Sequence, residues 1–225
     1  MRDKTIVITG GFGALGRAVR EAALAQGARV ALIDYAPAPG EFANDPLALG
    51  GVDITKFDAA QAAMTNIHAA AGRIDALLNI AGGFVWRPVA EADGALWDRM
   101  YEINLKTAMT ASKAALAYLE ASHGAIVNVG AGAALKAGAG MGAYAASKAG
   151  VLKLTESLAE ELKGKVRVNA VLPSIIDTAA NRKDMPNADF SAWVRPAELA
   201  AVMLFLASDA ASAVTGALVP VSGRV

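Results

Sequence analysis

Tyr144 and Lys148 are the two residues of this chain whose types and spacing most directly suggest proton-transfer chemistry. They stand four residues apart in "YAASK" (144–148). Residues at that spacing share one face of a helix, which brings an ammonium group close to the phenol. A nearby positive charge stabilises a phenolate and lowers its pKa from about 10. The spacing therefore predicts a general acid or base tuned by Lys148, although the same pair on an arbitrary helix is usually plain surface.

A glycine-rich turn near the start of the chain supplies the context. In "TGGFGALGRAV", Gly11, Gly13 and Gly16 form the pattern G-x-G-x-x-G directly after an apolar run, and Gly10 adds a tight-turn position. Glycines leave room for the backbone to approach a pyrophosphate that rests on the amino end of a helix. The residues that we predict to bind a dinucleotide in this turn are Gly10, Gly13, Leu15 and Gly16.

Asp34 indicates which dinucleotide the turn binds. It ends the second apolar run, 18 residues after Gly16. A carboxylate at this position accepts hydrogen bonds from the ribose hydroxyls and repels a 2′-phosphate. We therefore expect NAD(H) to be preferred. NADP(H) remains an alternative, because Arg17 adjoins the glycine turn.

The elements that must position these residues alternate regularly along the chain. Short runs that are apolar on both faces predict buried parallel strands; they lie at 5–9, 29–34, 75–81, 124–129, 166–172 and 217–221. Helical periods fall between them, near 14–26, 55–71, 93–121, 142–163 and 196–208. This βαβα order predicts a single α/β domain over residues 1–225, with a doubly wound, Rossmann-like parallel sheet and helices on both faces. The segment 179–195 shows no clear period and is predicted to be a functional loop.

Composition narrows the possible function classes. The chain has 55% hydrophobic residues, 21 basic and 21 acidic residues and no cysteine. The balance of charges offers no basic surface for a nucleic acid. The lack of cysteine excludes disulfides and thiolate metal sites. Because His68 and His123 stand alone, we expect no metal. We also expect no signal peptide, no membrane span and a cytoplasmic location.

Several motifs, taken in order, resemble those of the short-chain dehydrogenase/reductase family over nearly the whole chain. They are "TGGFGALG" (9–16), "NIAG" (79–82), "YAASK" (144–148), "NAVLPSIIDT" (169–178) and "TGALVPVSG" (215–223). The resemblance implies that Tyr144 is the general acid/base and that Lys148 binds the ribose and tunes the phenol. It also implies that Asn104 lies at a helix kink whose free carbonyl holds a proton-relaying water. The cofactor contacts that it implies beyond the glycine turn and Asp34 are Asp53, Ile54, Asn79, Ala81, Gly82, Tyr144, Lys148, Pro173, Ile176 and Thr178.

Ala131 is the departure from the family that matters most. The family usually places a serine 13 residues before the tyrosine, where its hydroxyl holds the substrate oxygen; here that position is Ala131. Removing a donor from a developing oxyanion commonly costs roughly 3–4 kcal/mol. Three explanations are open: an inactive relative, a carbonyl reductase with another donor, or a substrate without a carbonyl oxygen at the reacting atom.

The third explanation is supported by a closer resemblance to the dihydropteridine reductases, a branch that also lacks this serine. The shared features include "AGG" (81–83) and "VLPSIIDTAANRKDMPNADFSAW" (171–193). This resemblance implies hydride transfer from NADH to a conjugated, quinonoid dihydropterin-like acceptor, with Tyr144 as proton donor and no alkoxide to stabilise. The alternatives are an NAD(P)-dependent carbonyl reductase or alcohol dehydrogenase that lacks the serine, and a non-catalytic NAD-binding protein.

The substrate side contains candidate residues of less specific type. Aromatic rings at Phe84, Trp86 and Trp193 could stack on a flat substrate, and Ala131 and Met141 could line the same pocket. Hydrophobic packing is the alternative for each of them. The predicted helices 93–121 and 142–163 have more apolar surface than one sheet face covers. We therefore expect a homodimer or homotetramer that acts on a small molecule.

Overall fold

A seven-stranded parallel sheet forms the centre of the protein, as a computed structural model that describes residues 1–225 shows. The strands are β1 (Thr5–Thr9), β2 (Arg29–Ile33), β3 (Ala48–Leu49), β4 (Ala76–Asn79), β5 (Ala125–Val129), β6 (Arg167–Pro173) and β7 (Leu218–Val221). Their order across the sheet is β3-β2-β1-β4-β5-β6-β7. The chain thus reverses its direction across the sheet between β1 and β4, the position where such folds bind ligands. The predicted fold class is confirmed.

Helices cover both faces of the sheet, which is why the strands are apolar on both sides. They are α1 (Ala14–Ala25), α2 (Phe57–Ala71), α3 (Gly94–Met100), α4 (Thr107–Ser122), α5 (Gly142–Glu161), α6 (Ala179–Asp184) and α7 (Pro196–Ala207). One core cluster joins the sheet to α1 and α7, and a second joins it to α2, α4 and α5. No helix of the structure is both long enough and apolar enough to cross a membrane.

Three local features differ from the sequence prediction. The two-residue strand β3 was not predicted, because two residues are too few to show a period. The predicted helix 93–121 is interrupted by a π-helical turn at Tyr101–Lys106, which joins α3 to α4. The predicted loop 179–195 begins with the short helix α6, because the Thr178 side chain accepts a hydrogen bond from the Asn181 N–H and caps it. The π-helical turn matters most for function because it carries Asn104.

All strands are parallel, so their carboxyl ends lie along one edge of the sheet. The glycine turn follows β1, and Asp34 follows β2. Gly82 follows β4, Ala131 follows β5 and Pro173 ends β6. The topology therefore gathers the predicted cofactor and substrate residues at one edge.

Candidate active site

The glycine turn after β1 requires glycine at Gly10 and Gly16. Gly10 has a φ of +67°, and a Cβ atom there would lie 3.0 Å from the Ala81 backbone. A Cβ on Gly16 would lie 2.4 Å from the Gly10 carbonyl oxygen. On Gly13, by contrast, a Cβ would have one neighbour, that same oxygen at 3.4 Å. The turn is thus tightly packed at Gly10 and Gly16, whereas the space next to Gly13 is open.

The amino end of α1 lies directly after this open position. No side chain caps the helix at Gly13, and its first turn contains no acidic residue. The first N–H groups of a helix carry a partial positive charge and bind anions well. Leu15 is buried, so its side chain anchors the turn and only its backbone is available to a ligand. These features fit the pyrophosphate of a dinucleotide.

The Asp34 carboxylate holds the glycine turn from the side of β2. One oxygen accepts a hydrogen bond from the Phe12 N–H at 2.9 Å, and the other accepts one from the Ala36 N–H at 3.0 Å. Arg17, which left NADP(H) as an alternative, donates from Nε to the Phe12 carbonyl and pairs with Glu41. The basic group nearest the turn is therefore already occupied by a carboxylate.

Asp53 and Ile54 follow β3, where the resemblance places the adenine. Asp53 accepts hydrogen bonds from the Thr55 hydroxyl and N–H, at 2.6 and 3.0 Å, and these bonds hold the pKa of Asp53 below its usual value. Ile54 is buried. A cavity of about 450 Å³ opens beside Asp53 between β3 and α2, and its lining contains neither Tyr144 nor Lys148. We do not assign this cavity to the catalytic site.

The side chain of Asn79, a predicted cofactor contact, lies in the core. Asn79 is 3% exposed, and its Nδ2 donates to Asn128 Oδ1 at 2.8 Å and to the Ser112 hydroxyl at 3.0 Å. The side chain thus points into the core and cannot form a wall beside a ribose. The neighbouring Ala81 and Gly82 remain at the carboxyl edge, each only partly buried or exposed.

Asn104 connects the loop after β4 with α5. Its amide exchanges hydrogen bonds with the Gly83 main chain, at 3.0 Å to the N–H and 3.1 Å to the carbonyl. Its Nδ2 also donates to the Ser147 hydroxyl at 3.1 Å. Ser147 in turn donates to the Tyr144 carbonyl oxygen at 2.7 Å. The π-helical turn thus sets the position of the first turn of α5; the sequence reasoning missed Ser147, although it lies within "YAASK".

Lys148 is the most deeply buried cation near this edge. It is 5% exposed, and its Nζ donates to the Val129 carbonyl oxygen at the end of β5, at 2.8 Å. Burial lowers the pKa of Lys148 to about 8. A Cβ built on Gly82 would lie 3.4 Å from this Nζ and 2.6 Å from Asn104 Oδ1. Lys148, Asn104 and Gly82 are therefore close neighbours.

The predicted lowering of the Tyr144 pKa is wrong in this structure. Burial raises the pKa of Tyr144 to about 12. The Lys148 ammonium group hydrogen-bonds to Val129 instead of the phenol, so the desolvation of the phenolate dominates. The phenol is therefore protonated at neutral pH, which is the form that a proton donor requires.

Ala131 leaves no side-chain hydroxyl at the position where the family usually has its serine. Ala131 is 5% exposed and has an extended backbone. The hydroxyls of Ser147 and Ser174 donate to main-chain carbonyl oxygens, at 2.7 and 2.8 Å. The Thr178 hydroxyl caps α6. Ser147 and Ser174 thus direct their protons at the main chain, whereas Thr178 accepts a hydrogen bond from the Asn181 N–H.

Two of the three predicted aromatic residues lie at the open side of the site. The Phe84 ring is 48% exposed and meets the Tyr144 ring edge-to-face, with centroids 4.9 Å apart. Trp86 is 55% exposed, and its indole N–H donates to the Ala139 carbonyl at 2.8 Å. Trp193, however, is 2% exposed. It is packed in the interior with its ring 4.9 Å from that of Phe190, so its prediction as a stacking residue is wrong.

The remaining predicted residues frame the site. Met141 precedes α5 and is partly buried. Pro173 ends β6, and Ile176 pairs with Val194 in an isolated parallel bridge. Thr178 caps α6. This turn lies next to Ala131 in the sheet order and stays our predicted nicotinamide contact.

A dinucleotide-binding α/β fold with Tyr144 and the buried Lys148 at its carboxyl edge defines an NAD(P)-dependent oxidoreductase. Residues 4–189 match the sequence profile of the short chain dehydrogenase family. The chain belongs to this family.

Similar proteins span almost its whole length. It is 36% identical to 2-(S)-hydroxypropyl-CoM dehydrogenase 3 of Xanthobacter autotrophicus, with 99% of this chain and 96% of that protein aligned. It is 34% identical to meso-2,3-butanediol dehydrogenase of Serratia marcescens, with 98% and 94% aligned. Among solved structures, the ligand-free aldohexose dehydrogenase of Thermoplasma acidophilum matches with a TM-score of 0.89 and 29% identity, over 99% of this chain and 94% of that one.

Proposed function

We propose that this protein is an NADH-dependent reductase that delivers hydride to a conjugated acceptor, with Tyr144 as the proton donor. One observation carries the proposal: Ala131 follows β5 in place of a serine, and the nearby Ser147 and Ser174 hydroxyls donate to main-chain carbonyl oxygens. A carbonyl substrate develops charge on one oxygen, which a donor aimed at that oxygen stabilises by roughly 3–4 kcal/mol. A conjugated acceptor spreads this charge, so it depends less on such a donor.

The residues around the phenol have complementary roles in this proposal. The bound cofactor supplies the hydride. Tyr144 is protonated at neutral pH, and it donates its proton to the reduced acceptor. Asn104 fixes the first turn of α5 through Ser147. Lys148 provides a positive charge one helical turn after Tyr144. Lys148 would contact the ribose of the cofactor.

Phe84 and Trp86 suggest what shape of acceptor the site takes. They are two residues apart, both are about half exposed, and the Phe84 ring meets the Tyr144 ring edge-to-face. Flat aromatic surfaces favour stacking with a planar ring. A quinonoid dihydropterin is a planar acceptor of the required kind, and we propose it as the first substrate to test.

We propose NAD(H) as the preferred cofactor. The Asp34 carboxylate lies beside the glycine turn, where it would accept from the ribose and repel a 2′-phosphate. Arg17 is paired with Glu41, so it offers a phosphate little attraction.

A second candidate is the oxidation of an alcohol or the reduction of a ketone. The relatives favour it, since one is named a hydroxypropyl-CoM dehydrogenase and another a butanediol dehydrogenase. In that case, a water or a main-chain N–H would replace the serine hydroxyl.

A comparison of acceptors separates the two candidates. Purified protein is mixed with NADH and either freshly generated quinonoid dihydropterin, a quinone or a panel of ketones, and the loss of NADH absorbance is followed. We expect turnover of the conjugated acceptors to exceed that of the ketones, and to depend on Tyr144. Faster ketone turnover would favour the alcohol dehydrogenase candidate.

The variant Ala131→Ser adds the missing donor and serves as an internal test. We expect it to raise ketone turnover by about 10²-fold, the effect of one oxyanion donor, with little gain for the conjugated acceptor. An equal gain for both acceptors would contradict the proposed reason for the alanine.

We further propose that the chain acts as a single domain in a cytoplasmic homodimer or homotetramer. Its lack of cysteine and the small-residue helices α4 and α5 support this proposal. Light scattering of the purified protein would test the assembly.

A further inference from the structure

The loop between β2 and β3 reaches back over the glycine turn. It contains a short 3₁₀ turn at Gly40–Phe42, and the Phe42 side chain is buried. The Phe42 ring stacks on the Phe12 ring, with centroids 5.3 Å apart and planes inclined by 14°. Phe12 stands between Gly11 and Gly13, so this contact acts on the glycine turn itself.

Phe12 has the only side chain in the turn from Gly10 to Gly13, and three contacts are made at this residue. Its N–H donates to Asp34 at 2.9 Å, its carbonyl accepts from Arg17 Nε at 2.7 Å, and its ring packs on Phe42. All three partners lie outside the turn. Glycines lose the most conformational freedom on ordering. These contacts therefore help to offset the entropy that is lost when the turn is fixed.

Two cations complete the packing around Phe42. The guanidinium carbons of Arg17 and Arg20 lie 5.3 and 5.0 Å from the centre of its ring. Arg17 pairs with Glu41, next to Phe42, and Arg20 lies 3.9 Å from the Asp45 carboxylate. The loop is thus attached to α1 by two ion pairs and to the glycine turn by one aromatic stack.

We propose that Phe42 is a positioning residue that holds the glycine turn in the conformation that binds the dinucleotide, and so sets the affinity for NADH. A turn that is already ordered loses less entropy when it binds a ligand. This inference rests on dinucleotide binding, but it does not depend on which acceptor is reduced.

The test compares Phe42→Ala with Phe57→Ala. Phe57, at the start of α2, also packs a cation against its ring, Lys113 at 4.7 Å, but it lies away from the glycine turn. We expect Phe42→Ala to raise the Kd for NADH, measured by fluorescence titration, by about tenfold, the factor that 1.4 kcal/mol produces. The KM for NADH should rise in parallel with kcat unchanged, and Phe57→Ala should bind NADH as the wild type does.

Two further measurements separate positioning from general stability. Hydrogen exchange of peptides covering residues 10–16 should be faster in Phe42→Ala, and Phe42→Tyr should restore the wild-type Kd. A lower melting temperature with an unchanged Kd would overturn the proposal. If Phe42→Ala does not fold, Phe42→Leu retains most of the buried volume without the stack, and a wild-type Kd in that variant would overturn it as well.

The same titrations distinguish this proposal from the proposed cofactor preference. If the wild type binds NADPH but not NADH, the preference for NAD(H) is wrong, and the Phe42 variants are compared with NADPH. If the wild type binds neither dinucleotide, both proposals are wrong.

Discussion

The glycine turn after β1 and the segment after β5 occupy equivalent places at the ends of parallel strands, yet they are held differently. The turn after β1 is fixed by Asp34, Arg17 and the Phe12–Phe42 stack. The segment after β5 consists mainly of glycine and alanine, and residues 135–139 are all exposed. Trp86 and Arg87 attach it through hydrogen bonds to Ala139 and Gly140.

This difference matches the separate tasks that we propose for the two regions. A cofactor site binds one constant ligand, so a preorganised turn reduces the entropy lost on binding. A substrate side built from small residues leaves the space above Tyr144 to be shaped by Phe84 and Trp86. Substitutions in the first region should therefore change NADH binding, and those in the second should change turnover of the acceptor.

The largest effect should come from the phenol, which adjoins the substrate region. We expect Tyr144→Phe to lower kcat by about 10²- to 10⁴-fold, the usual contribution of a general acid, while the Kd for NADH stays near the wild-type value. Steady-state assays and NADH titration measure the two quantities. Tyr118→Phe is the matched control, because that hydroxyl contacts Thr65 on α2. A large loss of NADH affinity in Tyr144→Phe would break the division between the regions.

Lys148 lies where the two regions meet, and its burial should affect stability. The folded protein releases this proton near pH 8, whereas the unfolded chain retains it up to about 10.5. The unfolded state thus binds more protons between these values, so the free energy of unfolding should rise with pH through that window. The full difference corresponds to roughly 3 kcal/mol.

The variant Lys148→Met isolates this effect. We expect it to be inactive but, at neutral pH, at least as stable as the wild type, because it removes a buried charge. Urea unfolding should show that the free energy of unfolding of the wild type rises between pH 8 and pH 10, whereas that of the variant does not. Above this range the raised pKa of Tyr144 acts in the opposite direction. If the free energy of unfolding depends on pH in the same way in both proteins, Lys148 does not cause the rise.

A smaller effect is expected from Gly16→Ala in the cofactor region. A Cβ at this position would lie 2.4 Å from the Gly10 carbonyl oxygen, so the turn must move. We expect the Kd for NADH to rise at least about tenfold, or 1.4 kcal/mol. Gly94→Ala is the control, because nothing lies within 4 Å of a Cβ on Gly94. Unchanged NADH binding in Gly16→Ala would mean that the turn is less constrained than its contacts indicate.

The two regions also differ in how far the sequence predicts them. The glycine pattern and Asp34 are predictable because a tight turn requires specific backbone freedom at fixed spacings. The hydrogen bond of the Lys148 side chain was not predictable, because its partner Val129 is 19 positions away and side-chain rotamers depend on packing. The stack of Phe12 on Phe42 and the burial of Trp193 are likewise long-range outcomes. Local patterns predict elements and turns, whereas side-chain partners depend on the assembled fold.

The smallest effect should come from Gly140 in the substrate region. Gly140 has a φ of +74°, and a Cβ there would lie 2.3 Å from the Trp86 ring. The variant Gly140→Ala must therefore displace the indole from its hydrogen bond with Ala139. We expect the KM for the acceptor to rise about fivefold, which corresponds to roughly 1 kcal/mol. NADH affinity should not change, because the glycine turn is held by other residues.

Gly138→Ala is the matched control within the same segment, because its Cβ would make an ordinary 3.5 Å contact with the Met141 sulfur atom. Tryptophan fluorescence should shift in Gly140→Ala and not in Gly138→Ala, since Trp86 is more exposed than either Trp97 or the buried Trp193. A shifted emission with an unchanged KM would mean that Trp86 moves without touching the acceptor. In that case Phe84 alone, through its edge contact with Tyr144, would form the aromatic wall of the substrate region.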